Sequence, residues 1–185
     1  MNCINRHQIE IQKNKLSWEK SPILREIYRE FHQLLARETA NIPGLKTVEL
    51  GSGIGNIKDT IPNCLQTDLF PNPWIDQVEN AYDLSFSDGS VSDLILFDVF
   101  HHLRFPGTAL QEFWRVLSPG GRVIIFDPAL SLLGLIIFGC FHPEDLGIYR
   151  PIVWYAFDDW TPRDVDYYAA QGNATRIFLG RKFKK

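Results

Sequence analysis

The stretch Lys46–Asn56, Lys-Thr-Val-Glu-Leu-Gly-Ser-Gly-Ile-Gly-Asn, constrains the fold more than any other part of the chain. A short apolar run, Val48-Glu49-Leu50, meets glycines at alternate positions, Gly51, Gly53 and Gly55. Glycine is the default where the backbone must take positive φ or touch a ligand closely, so the pattern reads as a buried strand breaking into a tight turn. Taken alone, the same glycines would also serve a plain strand-to-helix turn, and the residues around them must decide between the two.

Upstream, Ser21-Pro22 is a helix-start signal: serine caps free N–H groups, and proline in a first turn loses no hydrogen bond. Ile23, Ile27, Phe31, Leu34 and Leu35 recur on one helical face, and Asn41, Pro43 and Gly44 end that helix before the opening strand. Residues 1–20 lack such periodicity and are expected to be a loose extension or a cover over residues 21–185, which read as a single domain. Downstream, Ile54–Ile61 has room for only a short helix before Pro62. A second strand, Cys64-Leu65-Gln66-Thr67, ends at Asp68, seventeen residues beyond Gly51. That is close to the roughly twenty expected of an acid that binds a ribose.

Pro71 and Pro73 compress the next crossover, which leads to a third strand around Gln77–Ala81. After the turn residues Ser87-Asp88-Gly89, Asp93–Asp98 is a continuous apolar run of the kind buried on both faces, a fourth strand. Leu110, Phe113, Trp114 and Leu117 follow at helical spacing until Ser118-Pro119-Gly120-Gly121, and Arg122–Asp127 reads as the fifth strand. Strands alternating with helical stretches predict an α/β fold: a Rossmann-like, doubly wound, mostly parallel sheet with flanking helices. Beyond Pro128, Ala129–Phe141 reads as a buried helix, a lid or an interfacial segment, and residues 129–160 as a lid or acceptor-site insertion. The aromatic stretch Tyr149–Trp160 suits either a pocket wall or ordinary packing, and Thr175–Leu179 either a strand or a helix.

Composition narrows the class. With 185 residues and 45% hydrophobic content the chain suits one domain with a sizeable core. A net charge of -3 gives no global reason to expect a nucleic-acid partner, although Arg181-Lys182 and Lys184-Lys185 close the chain with a basic cluster. Three cysteines, Cys3, Cys64 and Cys140, have neither disulfide nor zinc spacing, so no metal site is expected and a reducing cytoplasm fits best. The N-terminus lacks the basic-then-apolar pattern of a secretory signal. Ala129–Phe141 covers thirteen residues, short of the roughly eighteen of a membrane span, which leaves peripheral membrane contact as the form it could take.

These residues resemble the class I S-adenosylmethionine-dependent methyltransferases, especially the small-molecule group with a Glu/Asp-x-Gly-x-Gly-x-Gly loop. The blocks run in order: Val48–Gly55, Thr67-Asp68, Asn80–Phe86, Asp93–Leu103 and Arg115–Arg122. Phe97-Asp98-Val99-Phe100-His101-His102-Leu103 and Arg-Val-Leu-Ser-Pro-Gly-Gly-Arg look like that group's strand-four and strand-five signatures, and they are more specific than the glycines. The resemblance implies S-adenosyl-L-methionine as cofactor. It implies that Glu49, Gly51, Ser52, Gly53 and Gly55 cradle the methionine and ribose portions and that Asp68, followed by Leu69, accepts the ribose hydroxyls. Asn80, Ala81 and Tyr82 would lie by the adenine, while Phe97, Asp98 and Val99 would close the pocket.

Some positions depart from the family pattern. Asn80 stands where an aspartate is usual, Ser85 replaces a proline, and at most one of the usual sixth and seventh strands can be placed, so the end of the sheet is expected to be incomplete. The methyl group of the cofactor is already activated, so the protein's main task is alignment and exclusion of water. An acceptor that must lose a proton could use His101 or His102, which lie just after the fourth strand. The implied function is methyl transfer to a small-molecule acceptor, with lipid and sugar precursors as candidate classes. A non-catalytic cofactor-binding or partner-binding module is the alternative. A nicotinamide-dependent oxidoreductase is disfavoured because its fingerprint is Gly-x-Gly-x-x-Gly, whereas here the third glycine comes one position earlier.

Overall fold

The computed structural model describes residues 3–141, 146–163, 170 and 172–180. Its centre is a parallel sheet of five strands: β1 (Lys46–Leu50), β2 (Leu65–Asp68), β3 (Gln77–Val78), β4 (Val91–Phe97) and β5 (Leu117–Phe126), in the order β3-β2-β1-β4-β5. This is the Rossmann-like α/β arrangement expected from the sequence. The strand order reverses between β1 and β4, and the crevice above their carboxyl ends is where such sheets bind ligands. Val48, Leu94, Ile95 and Leu96 are fully buried, as central parallel strands require.

Two helices precede the sheet, α1 (Cys3–Lys20) and α2 (Pro22–Glu38). Ser21 caps α2 as expected, its Oγ accepting the Leu24 N–H at 3.2 Å. α1 makes residues 3–20 helical, so of the two alternatives for the first residues the loose extension does not hold. Arg25 of α2 reaches back to the terminal carbonyls of α1, at 2.6 Å from Trp18 O and 3.0 Å from Glu19 O, and Trp18 packs edge-on to Tyr28. The orphan acceptors of a helix end are thereby satisfied from the next helix, which no periodicity within residues 3–20 reveals.

The face of α2 is also corrected. Ile23, Ile27 and Leu34 are exposed, and His32 and Leu35 are the buried residues. Tyr28 and Phe31 pack their rings on Phe97, and Phe31 also on Phe126. Aromatic contact with two stacked strand-end phenylalanines outweighs aliphatic burial here. In α3 (Pro106–Val116) the core side is Ala109, Phe113 and Val116, while Trp114 is exposed, again against the expected stripe.

Polar anchors fix the rest. Asp93, wholly buried in β4, accepts the N–H groups of Ala40 at 2.7 Å and Asn41 at 3.0 Å, so the link from α2 to β1 is tied to the middle of the sheet. Arg115 donates to Leu84 O and Phe86 O at 2.9 Å each, holding the segment before β4 against α3. β5 starts earlier than Arg122: Leu117 pairs with Val91, a register shift absorbs Ser118–Gly121, and regular pairing resumes with Arg122 opposite Asp93. β3 has two residues instead of five, and the expected helix over Ile54–Ile61 is a single 3-10 turn at Ile57–Asp59.

After β5 come α4 (Leu132–Phe141) and α5 (Asn173–Phe178), and the described residues contain no sixth or seventh strand. Thr175–Leu179 is thus helical at its start. α4 is not a buried helix: four of its aliphatic side chains face outward. No helix among the described residues is long and apolar enough to cross a membrane.

Candidate functional site

The glycine loop leaves β1 at the point where the sheet order reverses. Gly51, Gly53 and Gly55 all have positive φ, at 76°, 54° and 68°. Ser52 between them is buried and locks the loop to β2, its N–H donating to Thr67 O at 2.8 Å and its Oγ accepting Thr67 N–H at 3.1 Å. The loop also meets the acid at the end of β2: Gly53 N–H donates to Asp68 Oδ2 at 3.0 Å. Loop and acid, fifteen positions apart, therefore form one hydrogen-bonded unit.

The glycines differ in what surrounds them. A Cβ at Gly51 would collide with the Val99 side chain, and one at Gly55 with the Trp74 carbonyl oxygen. At Gly53 a Cβ would meet nothing within 4 Å. Gly51 and Gly55 are thus required by the protein's own packing, whereas Gly53 borders open space.

Beneath the loop, Glu49 is buried with its Oε2 lacking any hydrogen-bond partner. Burial pushes its carboxyl up to about 7, with the Ser52 hydrogen bond opposing and the nearby Asp68 charge reinforcing the shift. A buried acid of this kind would gain from a cation nearby. Asp68 itself is buried, and a carboxylate can accept about four hydrogen bonds, so it retains capacity beyond its contact with Gly53. Open space, hydroxyl acceptors and an unsatisfied acid fit a ligand that carries hydroxyl groups and positive charge.

The other sequence-expected positions divide. Leu69 is half-buried beside Asp68, and Ala81 packs against the main core cluster. Asn80 uses both ends of its amide, Nδ2 donating to Pro162 O at 2.7 Å and Oδ1 accepting Tyr82 N–H at 3.0 Å. The Tyr82 hydroxyl accepts the Phe105 N–H at 3.1 Å, and its ring stands edge-on to Trp160. Phe97 turns toward α2 and stacks on Phe126 with ring centroids 5.1 Å apart. Asp98 takes a positive φ of 59° and is half exposed. Val99 closes on Gly51.

Sequence reasoning missed two partners. The first is Asp127, at the end of β5: its Oδ1 lies 2.6 Å from His101 Nδ1, and its Oδ2 accepts Phe100 N–H at 3.0 Å. His101 is buried, and His102 lies against it with ring centroids 4.1 Å apart. Asp98, His101 and Asp127 bring ligand atoms within 4.8 Å of one another, but the carboxylate of Asp127 is already bonded to backbone and imidazole. The cluster reads as an acid–imidazole pair. The signal lay in the register: Phe97 and Phe126 are paired, so the residues that follow them are neighbours.

The second is His7 of α1, whose Nε2 lies 3.3 Å from Asp68 Oδ1 while its ring tilts on Phe70. The contact is close but poorly aligned, since the same nitrogen makes no hydrogen bond of good geometry. No local pattern points to a partner sixty-one positions away.

Residues 49–125 match the family model described as a methyltransferase domain. A protein of Dictyostelium discoideum described as probable polyketide synthase 10 is 25% identical over 91 residues, which is 49% of this chain and 3% of that protein. The chain therefore spans a small part of that relative's length. Among solved structures, a Thermotoga maritima protein described as an S-adenosylmethionine-dependent methyltransferase has a TM-score of 0.53 at 15% identity, covering 86% of this chain and 90% of that one. A proposed S-adenosylmethionine-dependent methyltransferase of Methanococcus maripaludis has a TM-score of 0.50 at 14% identity, covering 70% and 69%. At these identities the likeness concerns the fold. The matched domain runs from the end of β1 through the glycine loop to β5, and the chain has the Rossmann-like methyltransferase fold.

Proposed function

We propose that this chain binds S-adenosylmethionine and transfers its methyl group to a small-molecule acceptor, with lipid and sugar precursors as the first classes to test. The observation that carries the reading is the joined loop and acid: Gly53 N–H on Asp68, open space at Gly53, and Glu49 unsatisfied below. The cofactor supplies a methyl group activated by a sulfonium cation. Gly51, Ser52, Gly53 and Gly55 hold the backbone close to the methionine and ribose portions. Asp68 and the adjoining Leu69 take the ribose. Glu49 offsets positive charge. Asn80, Ala81 and Tyr82 border the adenine, Asn80 through the lone pair that Tyr82 N–H leaves free. Phe97, Asp98 and Val99 form the wall at the end of β4, Phe97 through its backbone.

For an acceptor that must lose a proton, His101 is the base, held in one tautomer by Asp127, and His102 is the second candidate beside it. His7 touches the oxygen of Asp68 that the ribose would use, which makes α1 a cover over the site.

Calorimetry with S-adenosylmethionine and NAD, followed by methyl transfer to lipid and sugar-precursor pools, tests the reading. Binding of the first with turnover is expected. Tight NAD binding without S-adenosylmethionine binding would overturn it, and cofactor binding without transfer to any pool would favour the non-catalytic module.

A further inference from the structure

We propose that residues 154–162 form a strap over the adenine side of the cofactor pocket, in which Trp160 presents its ring to the base and Asn80 fastens the strap. The inference rests on the reading of the site as one for S-adenosylmethionine. The strap is held at two places. At the first, the Trp154 carbonyl accepts the N–H groups of Gly107 at 2.8 Å and Thr108 at 3.2 Å, which are orphan donors of the first turn of α3. Ala156 N–H donates to Thr108 Oγ1 at 2.9 Å. The fit is close, since a Cβ at Gly107 would lie 2.7 Å from the Trp154 oxygen and 2.9 Å from the Tyr155 ring. At the second place, Asn80 Nδ2 donates to Pro162 O at 2.7 Å across eighty-two positions. Beside it the Trp160 ring stands edge-on to Tyr82 and Phe105, with centroids 5.0 and 5.1 Å away.

The second place lies on the ligand side of the sheet. Tyr82 belongs to the loop that follows β3, and Phe105 follows the 3-10 turn after β4, so both stand beyond carboxyl ends of strands, where ligands of such sheets bind. The Tyr82 hydroxyl accepts Phe105 N–H at 3.1 Å and joins the two loops, and Trp160 rests on both rings. Within the strap Tyr155 and residues 157–159 and 161 are exposed, whereas Trp160 and Pro162 are half-buried, so these two are turned inward. An indole offers a flat apolar face on which a base can stack. Asn80 works with both ends of its amide, since Oδ1 accepts Tyr82 N–H at 3.0 Å while Nδ2 holds the strap. The second lone pair of Oδ1 is available to the amino group of adenine. A carboxylate at this position would keep both acceptors and lose the donor, which gives the amide a role of its own.

Asn80→Asp, Trp160→Ala and Trp160→Phe are each made in the whole chain and compared with the unaltered chain. Calorimetry with S-adenosylmethionine, tryptophan emission, and chymotrypsin digestion without ligand are the readouts, and circular dichroism melting checks that each variant is folded. Asn80→Asp should weaken binding about tenfold and quicken cleavage after Trp160 in the unliganded chain. Trp160→Ala should weaken binding about five- to a hundredfold, the range for loss of one base–aromatic stack. Trp160→Phe keeps a ring and should lose less than about fivefold. The cofactor should quench the emission of the unaltered chain, and Trp160→Phe should lose most of that quench, which decides the matter even where Trp160→Ala does not fold. An unaltered chain that does not bind S-adenosylmethionine would end the reading of the site and this proposal with it. Where the unaltered chain binds, three results would each overturn the strap alone: full affinity in Trp160→Ala, the full quench in Trp160→Phe, or an Asn80→Asp chain that binds and is digested like the unaltered one.

Discussion

Replacing Gly53 by alanine separates a loop that merely turns the chain from one that cradles a ligand. The backbone at Gly53 has φ 54°, inside the small left-handed region that L-residues can occupy, and a Cβ there meets nothing within 4 Å. The cost to folding should therefore be the left-handed penalty alone, about 1–2 kcal/mol. If the methionine and ribose portions pass over this backbone, the new methyl group lies in their path. An overpacked contact costs roughly 1–3 kcal/mol, or about five- to a hundredfold in affinity for S-adenosylmethionine. Gly55→Ala is the matched control, because its Cβ would overlap the Trp74 carbonyl oxygen at a φ of 68°. There the damage should fall on stability, by about 3 kcal/mol or more once backbone must move. Chemical denaturation gives the first quantity and calorimetry the second. Gly53→Ala binding the cofactor as tightly as the unaltered chain would refute the assignment of this loop as the cradle.

Glu49→Gln should raise folding stability by roughly 2–3 kcal/mol at pH 8 and change little at pH 4.5, read by denaturation at both values. The sign follows from the raised carboxyl: the folded state holds a proton that the unfolded state releases, so stability is present in acid and lost as pH rises through about 7. The same substitution should weaken S-adenosylmethionine more than its uncharged thioether product, and equal losses would remove Glu49 from any charge role. His101→Ala should lower kcat by about a hundredfold or more on an acceptor that loses a proton, with cofactor affinity kept, and Asp127→Asn should shift the pH–rate profile. A normal turnover and profile in His101→Ala would end that role, and His102→Ala tests the neighbour in the same way. His7→Ala should tighten cofactor binding by up to about fivefold, since a partly exposed pair of this kind is worth at most about 1 kcal/mol. Weaker binding would instead make His7 a direct ligand contact.

What the sequence disclosed, and what it hid, follows from how each contact is encoded. Glycines at three alternate positions and the run Asp93–Asp98 are written in adjacent residues, so β1, the loop and β4 were legible, and Asp68 was legible through its distance from Gly51. The buried face of α2 was not, because its aliphatic and aromatic stripes overlap, and only the placement of Phe97 and Phe126 decides which faces inward. α1 and His7 were hidden because their partners, Arg25 and Asp68, lie on other elements. Asp127 is the instructive case. Parallel strands in register end side by side, so the polar residue that follows each apolar run is delivered to the same edge. Phe97-Asp98 and Phe126-Asp127 are such a pair, and the imidazole of His101, three positions beyond Asp98, falls between them. In a sheet ordered β1-β4-β5 the polar residues that close neighbouring strands are thus brought to one edge, and it takes the register of β4 against β5 to show which two they are.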